Sequence, residues 1–105
     1  MMVVAFALAL AVQTPAADGV DPEISATGQA WAQCTRRQID ASIGSSASND
    51  ELVTAAFAGC ATEEAAVRAA AARALGADSV DRFMDQVKND ARGVILNFLR
   101  DRRRR

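Results

Sequence analysis

Residues 31–60 read WAQCTRRQIDASIGSSASNDELVTAAFAGC, and this stretch decides the fold. Its middle, Gly44-Ser45-Ser46-Ala47-Ser48-Asn49, is a turn by composition. To its left a helical segment runs from about Glu23 to Ile43, with Ile24, Trp31, Thr35 and Ile39 on one face and Cys34 at its edge. To its right Ser48-Asn49-Asp50-Glu51 is a capping-box pattern, in which Ser48 and Glu51 satisfy orphan amides at a helix start. That helix carries Leu52, Val53, Ala56, Phe57 and Cys60 at helical spacing. Cys34 lies ten residues before Gly44 and Cys60 eleven after Asn49. At about 1.5 Å per residue both stand roughly 15 Å from the turn, level with each other on antiparallel helices. The spacing therefore predicts a Cys34–Cys60 disulfide. A redox-active pair would need a close Cys-x-x-Cys or an activating cation, and neither spacing is present. Trp31 and Phe57 each precede a cysteine by three residues, one turn away on the same face, where each ring can cover the bridge from one side.

Beyond Cys60 the chain reads TEEAAVRAAAARALG from Thr62 to Gly76. Glu63 and Glu64 suit a helix first turn, Arg73 suits a last turn, and Gly76 is a natural stop. Glu64 and Arg68 form an i,i+4 pair. Gly59 and Thr62 permit a break, so residues 50–75 are either one helix or two. The last helix, capped by Asp78 or Ser79, places Val80, Met84, Val87, Ala91, Val94 and Phe98 at alternating steps of four and three. Phe83, Ile95 and Leu99 widen the stripe. A period near 3.5 belongs to bundle and coiled-coil seams. This face either packs into the hairpin groove or pairs with a second copy as a homodimer. The opposite face, with Asp81, Asp85, Lys88, Asn89 and Arg92, reads as solvated. The fold class is thus all-α, a small antiparallel bundle of three long or four shorter helices with one disulfide.

At the other end, residues Met1 to Val12 form an unbroken apolar run followed by Gln13, Thr14, Pro15, Ala16 and Ala17. A dozen residues is short of the roughly twenty needed to span a bilayer. It fits the h-region of a signal peptide over residues 1–17, cut after Ala16 or Ala17, although no Lys or Arg precedes the run. An uncleaved anchor or a buried helix are the other readings of the same run. Residues 18–105 then form a single helical domain with a basic C-terminal tail. A periplasmic or secreted location follows, and in that oxidising compartment two cysteines read as a bridge.

Net charge is −1, but the last six residues hold five Arg and one Asp. The anionic-surface candidates are Arg100, Arg102, Arg103, Arg104 and Arg105; otherwise these cations serve the helix dipole and solubility. Nucleic acid is a weaker partner for so acidic a body. The chain has no His and no Tyr, which removes the commonest general base and metal ligand. There is no Walker A or Gly-rich fingerprint, and the carboxylates are scattered. No enzyme, no cofactor and no metal site is expected.

From Trp31-Ala32-Gln33-Cys34 through Ala55-Ala56-Phe57-Ala58-Gly59-Cys60 and on to Arg105, the chain resembles small uncharacterised secreted or periplasmic helical proteins of alphaproteobacteria. They share an aromatic-x-x-Cys, a second Cys after an Ala-rich stretch, and a basic C-terminal helix. The resemblance implies a helical, exported protein and no activity. The functional expectation is an envelope interaction or structural protein. The alternative is a peripheral binder of anionic membrane through the Arg-rich end.

Overall fold

A computed structural model describes residues 21–104. The expected signal peptide over residues 1–17 and the terminal Arg105 lie outside the described residues. Among these residues four helices follow one another: α1 (Pro22–Ser42), α2 (Asn49–Gly59), α3 (Ala61–Leu75) and α4 (Ala77–Arg104). Among the described residues there is no strand, so the fold is an all-α bundle of four helices.

Local chemistry sets most of the helix ends. Asp21 caps α1, its carboxylate accepting from the Glu23 and Ile24 amides at 2.8 and 3.1 Å, and Pro22 occupies the first turn, where its missing N–H costs nothing. At α2 the capping box forms as the sequence predicts. The Glu51 amide donates to Ser48 Oγ at 3.1 Å, and the Ser48 amide donates to the Glu51 carboxylate at 2.8 Å.

The segment from 50 to 75 is two helices, broken at one residue. Cys60 has φ −116° and ψ 30°, and its amide donates to the Phe57 carbonyl, three residues back. The helix resumes at once, the Glu64 amide donating to the Cys60 carbonyl at 2.9 Å. The break falls on the residue that is fastened to α1.

The start of α4 differs from the sequence reading. Neither Asp78 nor Ser79 is the cap; both lie inside a helix that begins at Ala77. Gly76 stands at φ 93°, ψ 154°, a region that only glycine enters readily, and reverses the chain within one residue. No loop is left in which Asp78 or Ser79 could act as a cap. Gly76→Ala is therefore expected to cost about 1–3 kcal/mol in urea unfolding. A Cβ there would meet nothing within 4 Å, so the whole cost is backbone strain. An unchanged urea midpoint would show that the turn tolerates another conformation.

The helices α2 and α3 form a spine that α1 and α4 flank. On one side Cys34 and Cys60 are joined, with Cα atoms 6.0 Å apart, and Glu23 at the start of α1 holds Arg73 near the end of α3. Each of those two charges also suits the dipole of its own helix end. On the other side α4 runs back along the spine. Arg68 meets Asp81 at 2.6 Å, Lys88 meets Glu64 at 3.1 Å, and Arg103 meets Asn49 at 2.7 Å. The predicted Glu64–Arg68 pair does not form, because each residue finds its partner on α4 instead.

The core lies where the three layers meet. Val53, Cys60, Val67 and Met84 are almost wholly buried, and so is Leu99 near the far end of α4. Trp31 and Phe57 both lie in the core with the two cysteines. Their rings stack on each other, with centroids 5.4 Å apart and planes inclined by 29°. Such a pair contributes about 0.5–1.5 kcal/mol beyond its burial.

Candidate interaction surface

Although α1 and α4 lie on the same body, no Cα atom of one comes within 8 Å of a Cα atom of the other. The spine separates them and leaves an open trough of about 380 Å³ along their facing sides. From α1 it is lined by Trp31, Ala32, Thr35 and Ile39, with Arg36 on the rim. From α4 it is lined by Ala91, Val94, Ile95 and Phe98, with Asp90 on the rim. The small side chains of Ala32 and Ala91 do not fill the gap. Thr35 turns its hydroxyl back to the Ala32 carbonyl at 2.9 Å, which satisfies its polar atom without a partner from outside.

Val94 is the most exposed large apolar side chain among the described residues, at 69%. The sequence reading placed it in the packed seam, alongside Met84 and Phe98. Its exposure follows from helix geometry, since a strict 3.5-residue repeat drifts by about 20° per heptad on a straight 3.6-residue helix. Two heptads after Val80 the repeat has left the core, and Leu99, off that repeat, is buried in its place.

Charge frames the trough unevenly. The Arg36 guanidinium lies 5.3 Å from the Phe98 ring centre and 3.5 Å from Asp40. Arg102 approaches the same ring at 5.7 Å, so Phe98 carries two cation–π contacts. Asp90, two turns earlier on α4, has no side-chain partner among the described residues. The Trp31 indole N–H is buried and finds no acceptor among the described residues. Such an unmet donor costs about 1–3 kcal/mol.

The basic end is less free than the sequence suggests. It is no separate tail, because α4 continues to Arg104. Arg103 donates to Asn49 Oδ1 and to the Ser45 carbonyl, both at 2.7 Å, and so pins the end of α4 to the α1–α2 turn. Arg100 donates to Asn97 at 3.2 Å. Arg100, Arg102 and Arg104 remain exposed.

The supposedly solvated face of α4 is also engaged. Lys88 and Arg92 sit 5.4 and 5.7 Å from the Phe57 ring centre, and each pairs with an acid on the spine, Glu64 and Asp50. With Thr54, Asp85 and Asn89 they edge a second, polar hollow of about 560 Å³. Both of its cations, Lys88 and Arg92, are thus already paired with acids. The i,i+4 spacing of Lys88 and Arg92 gave no sign of this, since their partners lie across the bundle.

Cys34, Cys60 and Glu63 bring potential metal-ligand atoms within 4.8 Å of one another. Both sulfurs are spent in the bridge, which leaves one carboxylate and no ligand set. Among the described residues the one titratable group clearly displaced is Arg73, held above its usual value by the hydrogen bonds it donates to Glu23 and by attraction to that carboxylate. It remains cationic at any working pH, so this ion pair introduces no switch on the arginine side. Among the described residues no helix is long and apolar enough to cross a membrane.

No known protein family, curated protein or solved structure matches the chain. The fold therefore defines its class alone: a small all-α protein with one intramolecular disulfide.

Proposed function

We propose that this chain is an exported interaction or structural protein of the cell envelope, and that it works through the trough between α1 and α4. The observation that carries the reading is the exposed Val94 beside an apolar channel that the fold leaves open. An apolar groove rimmed by polar side chains is a common form of interaction site. Export rests on the apolar run from Met1 to Val12 and on the bridge, which needs an oxidising compartment to persist. Intact mass of the protein recovered from its native host tests this. The expected mass lacks residues 1–16 or 1–17, and thiols become open to alkylation only after reduction. A full-length mass with freely alkylated thiols would overturn export.

A second reading is contact with anionic lipid through Arg100, Arg102 and Arg104, supported by their shared exposure at one end of α4. Each such cation near a charged surface contributes about 1 kcal/mol. Co-sedimentation with phosphatidylglycerol vesicles, against phosphatidylcholine, separates the two. The interaction reading expects no sedimentation at moderate salt. Binding that high salt abolishes, and that the triple Arg→Gln variant lacks, would favour the lipid reading.

A further inference from the structure

We infer that the trough takes a second copy of this chain, packed antiparallel about Val94. This rests on the reading of the trough as an interaction surface and names its partner.

The inference turns on how charge is placed along α4. Asp90 and Phe98 each lie four residues from Val94, so they stand about 6 Å on either side of it along the helix axis. Arg36 stands at the level of Phe98, 5.3 Å from its ring centre. A two-fold axis crossing α4 at Val94 exchanges the levels of Asp90 and Phe98. It therefore brings Arg36 of each copy opposite Asp90 of the other. Asp90, which has no partner among the described residues of its own chain, gains one. The same operation sets the two Val94 side chains against each other and beside the opposing troughs. One patch is thus complementary to itself in charge, as an isologous contact requires. An unrelated partner would not need the acid and the base to lie at equal and opposite distances from the most exposed apolar side chain. The ridge Asp90-Val94-Phe98 also follows the i±4 rows by which helices most often interdigitate.

The test is light scattering on the oxidised full chain and on two charge reversals, Arg36→Asp and Asp90→Arg. Both residues are exposed, and circular dichroism checks that each variant keeps its fold. The unaltered protein is expected to dimerise, and each reversal alone to weaken dimerisation about tenfold or more, since like charges then meet twice per dimer. Mixing the two variants in equal amounts should restore dimers, because in the mixed pair every acid again faces a base. Val94→Asp should give a monomer in every combination. A monomeric unaltered protein overturns self-pairing, as does a dimer that ignores the reversals or a mixture that fails to recover. Export is tested separately by the mass and alkylation experiment, so the two failures are distinguishable.

Discussion

Reduction of the Cys34–Cys60 bridge is expected to lower the unfolding free energy by about 3.5 kcal/mol and the melting temperature by roughly 15–25 °C. The first figure follows from closing a loop with a sequence separation of 26. The second follows from the small entropy of unfolding of so short a domain. Both sulfurs lie in the core, Cys60 wholly inaccessible and Cys34 5% exposed. Reduction therefore leaves two buried thiols where the bridge had been. Cys34→Ser should cost at least as much, because its hydroxyl would be buried in an apolar setting. The position of the bridge enlarges its structural role. Cys60 is the single residue between α2 and α3, so the bond pins the bend of the spine to α1. Urea unfolding with and without a phosphine reductant measures the effect. The Cys34→Ser variant, which has no bridge, must be insensitive to the reductant. Equal urea midpoints in both redox states would show that the bridge adds nothing to stability.

What the sequence made legible is what neighbours along the chain decide. Ser48 and Glu51 cap α2 through atoms three residues apart, and their pattern can be read directly. The level placement of Cys34 and Cys60 was also readable, because two helices leaving one turn keep a common distance from it. The break at Cys60 was not, since Gly59 and Thr62 only permit it and the attachment to α1 lies across the fold. Arg103 shows the same limit. Its partners Asn49 and Ser45 are 54 and 58 residues away, so a run of arginines reads as one free patch until the bundle is assembled. The trough was invisible for a stronger reason. It is a gap between α1 and α4, and it depends on a spine that keeps two non-adjacent helices apart.

The second large effect comes from α4, where two apolar residues five positions apart are expected to behave oppositely. Leu99→Ala should cost about 2–5 kcal/mol, whereas Val94→Ala should stay within about 0.5 kcal/mol in the monomer. By spacing alone Val94 belongs to the seam and Leu99 only widens it. In the fold Leu99 is 0% exposed and Val94 is 69% exposed. Truncating Leu99 removes buried methyl groups and leaves a cavity close to where Arg103 fastens the helix to the α1–α2 turn, so collapse around it is hindered. Truncating Val94 returns little surface to water that was not already wet. Unfolding both variants in urea, at concentrations below any self-association, gives the comparison. A larger loss for Val94→Ala would mean that the 3.5-residue seam stays closed along all of α4. The trough would then not exist in solution, and the pairing of two copies about Val94 would fail with it.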